Sequence, residues 1–83
     1  MTYSVVWDPS ATNTAVRFLK DDPEGLRLFL DAVDLLADDP RPAGSVPYGA
    51  ETLRRIHAGR YRALYEIHDD TVTVLVIQVG RTA

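Results

Sequence analysis

Cysteine is absent from these 83 residues, so neither a disulfide nor a zinc–thiolate site can hold the chain together, and a reducing compartment such as the cytoplasm is the natural expectation. Histidine occurs only twice, too few for a cluster of metal ligands. No glycine-rich phosphate loop is present either, so neither a metal nor a small-molecule cofactor is expected. Long apolar runs are missing as well. The longest, VLVIQV at 74–79, is far short of the ~20 residues that cross a bilayer. The N-terminal MTYSVVWDPS lacks the basic start and apolar stretch of a secretion signal. A soluble chain with no membrane partner is the expectation. At this length, folding buries only about 60–65% of the unfolded surface, which points to one compact domain over 1–83.

What the sequence does contain is an uneven distribution of charge. The net charge is −3. Residues 1–50 carry eight acids and four bases, whereas residues 51–83 carry four acids and five bases. Four of those five bases, and one of the two histidines, lie in RRIHAGRYR at 54–62. An acidic protein thus gathers its cations in one short segment.

Period and punctuation give the order of elements. YSVVW at 3–7 is aromatic and β-branched and reads as a strand. Asp8-Pro9 then supplies a helix cap followed by proline at the first helical position. From Pro9 to Lys20, Ala11, Ala15, Val16, Phe18 and Leu19 fall on one arc, opposite Asn13, Arg17 and Lys20. Asp22-Pro23-Glu24 repeats the cap and adds an acid where the helix dipole favours it. Between Pro23 and Asp38, Leu26, Phe29, Leu30, Val33 and Leu36 form one apolar stripe, and Leu28, Ala32 and Leu35 form a second beside it. Two stripes need two neighbours: the first helix and a sheet would serve, or one stripe receives a protein partner. DDPRPAGSVPYG at 38–49 reads as a loop. TLRRIHA, RYRALYEI and TVTVLVIQV, punctuated by Gly59 and Asp69-Asp70, read as a three-stranded meander. The fold class is α+β in the order β-α-α-β-β-β, a helical hairpin on one face of a small, mainly antiparallel four-stranded sheet.

Strand alternation then sorts the cations by face. Ile56 and Ala58 point one way, so Arg55 and His57 point the other. Tyr61, Ala63, Tyr65 and Ile67 form an apolar face suited to the helices, which assigns both tyrosines to the core and turns Arg62 and Leu64 outward. Arg55, His57 and Arg62 are therefore expected on the open side of the sheet. Exposed arginines also serve simply to keep an open face soluble, but three cations together on an acidic protein call for more than that. His68, beside the acidic turn, reads as a solvated strand end.

The opening strand into DPSA, the helix ending LADDPRP, the phrase LRRIHAGRYRALYEI and the final VLVIQVG resemble the RelE branch of the RelE/ParE superfamily of bacterial toxin–antitoxin proteins, over essentially the whole chain. The resemblance implies a toxin domain that binds a cognate antitoxin and, when free, enters the ribosome and cuts mRNA with the basic open face of its sheet. It assigns catalytic positions to Arg62 and Arg81. His57 falls on another position that is basic in the family, and an imidazole, which ordinarily titrates near pH 6.5, suits a general base. RNA contacts are assigned to Arg55, with Arg60 and Arg54 of the same stretch. Members of the family continue past the glycine with a second cation and a tyrosine, where this sequence has Arg81, Thr82 and Ala83; Tyr48 lies in the loop and offers no clear substitute. The resemblance therefore also admits a non-catalytic member that engages an antitoxin or a protein target such as gyrase.

Overall fold

The computed structural model describes residues 2–82. Strand β1 (Ser4–Trp7) leads into helices α1 (Pro9–Asp21) and α2 (Pro23–Asp34), and a 3-10 turn (Leu35–Ala37) ends the second helix. Strands β2 (Val46–Tyr48), β3 (Ala50–Ala58), β4 (Tyr61–His68) and β5 (Thr73–Arg81) follow. The sheet order is β1-β5-β4-β3-β2, with β1 parallel to β5 and every other pair antiparallel. The α+β class and the helical hairpin agree with the sequence reading. The sheet has five strands rather than four, because part of the proline-rich segment pairs with the edge of β3. Pro47 lacks an N–H to donate, and an edge strand tolerates that.

Both helix starts form as their local chemistry dictates. Asp8 accepts the backbone N–H of Ser10 at 2.9 Å, and Asp22 accepts that of Gly25 at 3.1 Å, with proline next in each case. Asp22 does more than cap. It also receives the Tyr61 hydroxyl at 2.8 Å, which ties the junction between the helices to the start of β4.

The core lies between the helices and one face of the sheet. Leu26, Phe29, Val33 and Leu36 meet Tyr61, Ala63, Tyr65, Ile67, Val74 and Val76, all buried. Phe18 and Phe29 flank the Tyr61 ring with centroids 5.6 and 5.8 Å away, within the range of favourable aromatic pairing. The first apolar stripe of α2 is thus covered except at Leu30, which is half-buried. The second is not: Leu28 and Leu35 remain 70% and 66% exposed, because the first helix and the sheet both lie on the other side.

Strand β5 contains one irregularity with wide effect. Leu64 pairs with Gln78 but Tyr65 pairs with Val76, so Ile77 is an extra residue on β5. Such a bulge breaks the two-residue period. Val74 and Val76 face the helices before it, and Val79 does so after it.

Two stability predictions follow from these contacts. The buried Tyr65 hydroxyl donates to the Pro40 carbonyl at 2.8 Å. Tyr65→Phe should cost about 1–2 kcal/mol by stranding that acceptor, seen as a Tm lower by roughly 5–10 °C. The Asp22 carboxyl is held below its ordinary pKa by the Tyr61 hydroxyl first and the Gly25 amide second. A depressed carboxyl contributes stability above its unfolded pKa and loses it as pH falls through the folded value. Denaturant titrations at neutral pH and at about pH 3 should therefore show a smaller acid loss for Asp22→Asn than for the wild type.

Candidate functional site

Two rows of side chains cross the open face of the sheet. Arg55, Leu64 and Gln78 stand in register across β3, β4 and β5, and His57, Arg62 and Gly80 form the neighbouring row. Together with Tyr48 from β2, Arg55, Arg62, Leu64, Gln78 and Gly80 line a concavity of about 350 Å³. His57 is exposed and directly opposite Arg62. The sheet therefore brings together Arg55, His57 and Arg62, as alternation predicts.

The remaining cations of the sequence reading lie elsewhere. Arg54 is buried on the helix-facing side, with Nε on Ser45 Oγ at 2.9 Å and its guanidinium paired with Glu51. Its side chain closes the 38–49 segment and is not available to RNA. Arg60 extends from the tight turn toward Asp22, 3.8 Å away, and lies over the Tyr61 ring. Arg81 departs most from expectation. Its guanidinium sits 4.4 Å from the centre of the Phe18 ring and 3.2 Å from Asp21. The bulge at Ile77 is the cause: it turns Gly80 to the open face and Arg81, one residue on, to the helices.

These pairings single out two arginines. Arg54, Arg60 and Arg81 each have a carboxylate partner. Among the described residues neither Arg55 nor Arg62 has one, and the Arg55 Nε has no hydrogen-bond partner. The concavity is accordingly lined by uncompensated positive charge. Two planar, permanently charged guanidiniums in one hollow are suited to phosphate oxygens, which they can meet with paired N–H donors.

Gly80 explains how Arg62 lies where it does. A Cβ built on Gly80 would fall 3.1 Å from the Arg62 Cζ and Nη2 and 3.2 Å from Nε. The missing side chain lets the guanidinium rest against the backbone of β5. Tyr48 is the residue that the sequence reading left in a loop. Gly49, at φ +86°, makes the tight turn between β2 and β3, and the Tyr48 ring then stands 5.8 Å from the Arg55 Cζ. The available signal was the alternation of Val46 and Tyr48 about Pro47, masked by the surrounding prolines and glycines.

On the opposite side of the molecule, Trp7, Ala15, Val16, Leu19, Leu26 and Leu30 line a mainly apolar groove of about 310 Å³ between β1 and the helices. Val16 and Leu19 are 46% and 38% exposed there. Among the described residues no group of three or more His, Cys, Asp or Glu side chains could hold a metal ion, and no helix is long and apolar enough to cross a membrane.

No curated protein sequence is significantly similar to this chain. Among solved structures, a mutant of the Escherichia coli toxin RelE in the free state superposes with a TM-score of 0.81 at 22% identity, covering 98% of this chain and 84% of that one. The toxin–antitoxin complex RelBE2 of Mycobacterium tuberculosis gives 0.80 at 24% identity, with 99% and 100% coverage. The E. coli RelE mutant bound to an antitoxin RelBc peptide gives 0.70 at 27% identity, with 100% and 86% coverage. The sequence profile described as "ParE toxin of type II toxin-antitoxin system, parDE" matches residues 5–83, and with that match over nearly its whole length the chain belongs to the ParE toxin family of type II toxin–antitoxin systems.

Proposed function

We propose that this protein is a RelE-like toxin that inhibits translation by ribosome-dependent cleavage of mRNA, and that a cognate antitoxin holds it in check. One observation carries the reading: the two arginines that line the open-face hollow, Arg55 and Arg62, are the ones in the basic stretch without a carboxylate partner among the described residues. In the reaction, a ribose 2′-oxygen forms a bond to the adjacent phosphorus while the bond from phosphorus to the 5′-oxygen breaks. This leaves a 2′,3′-cyclic phosphate and a 5′-hydroxyl. His57, exposed beside Arg62, takes the 2′-hydroxyl proton, and water protonates the departing 5′-oxygen. Arg62 and Arg55 offset the charge that builds on the phosphorane oxygens.

Removal of Arg62 should be the most damaging change, since a lost transition-state cation typically costs ~10²–10³ in rate. Gly80→Ala should act through the same group by displacing the guanidinium, lowering the rate on the order of tenfold while Tm stays near that of the wild type. His57→Ala should also slow cutting. Arg81→Ala should change cleavage little, because Arg81 is spent on Asp21 and Phe18. The assay is primer extension on ribosome-bound mRNA with purified, antitoxin-free protein. Unchanged cutting by Arg62→Ala would discard the site. Absence of cutting together with inhibition of gyrase supercoiling would favour a protein-binding toxin instead, a reading to which the ParE description of the matched family lends some weight.

The antitoxin is expected on the helix side. The apolar groove and the uncovered Leu28 and Leu35 are surfaces that a partner's apolar residues would remove from water. Coexpression with a cognate antitoxin should give a stable complex. Leu19→Asp, at the groove wall, should weaken that complex by roughly 30-fold or more in a calorimetric titration. An unaltered affinity would move the contact elsewhere.

A further inference from the structure

The open-face hollow is not walled by cations alone. Tyr48 forms its rim from the edge strand, 54% exposed, and its ring lies by Arg55 at a distance compatible with a cation–π contact. A large exposed aromatic next to an unpaired guanidinium offers two kinds of contact at once: a flat apolar face and a charge. Leu64 lies in the floor, half-buried, and Gln78 brings an amide that can both donate and accept.

Nothing in the packing of the domain requires an aromatic at this position. Tyr48 is absent from the buried core and from the partly buried residues packed on it, and no hydrogen bond to its hydroxyl occurs among the described residues. Its position is nonetheless well defined by the Gly49 turn and by the shift in register between Pro47 and Tyr48. The hollow, about 350 Å³, is at the small end of ligand-binding cavities, a size that suits one nucleotide rather than a folded helix.

We infer that Tyr48 is the platform on which an unpaired nucleobase stacks while Arg55 and Arg62 hold the adjoining phosphate. This rests on the RNA-cleaving reading and adds to it the residue that recognises the base. Stacking on an aromatic is tolerant of base identity, because every base has a π-face. The platform thus orients the nucleotide, and an in-plane group such as Gln78 is left to discriminate among bases.

The test is an NMR titration of ¹⁵N-labelled protein at low salt with three probes: a 2′-O-methyl trinucleotide, which cannot be cut, the same trinucleotide with an abasic centre, and inorganic phosphate. Tyr48→Ala should weaken trinucleotide binding by roughly 5–100-fold. Tyr48→Phe should bind like the wild type, and both variants should bind phosphate and the abasic probe as the wild type does. Because Tyr48 is exposed on an edge strand, the amide spectra of both variants should keep the wild-type dispersion. If Tyr48→Ala binds the intact trinucleotide as tightly as the wild type, or if the abasic probe binds the wild type equally well, the platform is refuted. In that event, wild-type cutting of ribosome-bound mRNA would leave the cleavage reading standing. A wild-type protein that neither binds the trinucleotide nor cuts mRNA would overturn both.

Discussion

The extra residue in β5 governs what this small sheet can present. With strict alternation, inward-facing Val74 and Val76 would be followed by inward-facing Gln78 and Gly80 and outward-facing Val79 and Arg81. The offset at Ile77 reverses that order over the last third of the strand. Val79 is buried, Gln78 is exposed, and Gly80 comes to lie under Arg62. Without the offset, an apolar side chain would occupy the hollow, an amide would enter the core, and Arg62 would lose the bare backbone against which it rests. The bulge therefore serves the core and the basic face together.

The same inversion takes part in sorting the charges. Asp21 and Asp22, at the junction of the two helices, lie opposite Arg81 and Arg60, and Asp22 also receives Tyr61. Arg54 is neutralised by Glu51 and tied down by Ser45. Two of these pairs hold a cation to an acid of the helical hairpin, and the third joins two residues of β3. Exposed pairs of this kind add little stability, but they remove free charge from the helix side. Among the described residues, what remains uncompensated in the basic stretch is Arg55 and Arg62, on one face. The clustering of cations in an acidic chain thus has a structural reason: Arg60, with Arg81 beyond the stretch, partners the acids of the helical hairpin, Arg54 is tied to its own strand and the 38–49 segment, and Arg55 and Arg62 form the hollow.

Legibility in the sequence followed the range of the interactions concerned. The two aspartate-proline helix starts and the glycine turn after Ala58 are local and could be read directly. The burial of Tyr61 and Tyr65 followed from alternation within β4, a strand with no irregularity of its own. Three features depended on contacts that a single sequence does not display. Strand β2 was hidden because Pro47 and Gly49 look like loop residues, yet an edge position accepts the one and a tight turn requires the other. The side to which Arg81 turns could not be read because a bulge has no compositional mark in IQVG. Leu28 and Leu35 formed a stripe on the helical wheel, but the wheel cannot tell whether anything covers it.

The two sites lie on opposite faces of the sheet, and that arrangement constrains how a partner could regulate the protein. The apolar groove is bounded by β1 and the helices, whereas the basic hollow extends from β2 to β5 on the other face. A peptide confined to the groove would leave Arg55 and Arg62 open to solvent. On the proposed function, an antitoxin that neutralises the toxin has two physical routes. It can pass around an edge of the sheet and bring acidic side chains to the hollow, or it can add so much bulk on the helix side that the toxin no longer fits its target. The unpaired guanidiniums favour the first route, because a carboxylate delivered there meets charge that none of the described residues satisfies. Affinity and inhibition would then reside in different segments of the partner, the apolar segment supplying most of the binding energy and the acidic segment blocking the site that would otherwise hold a phosphate.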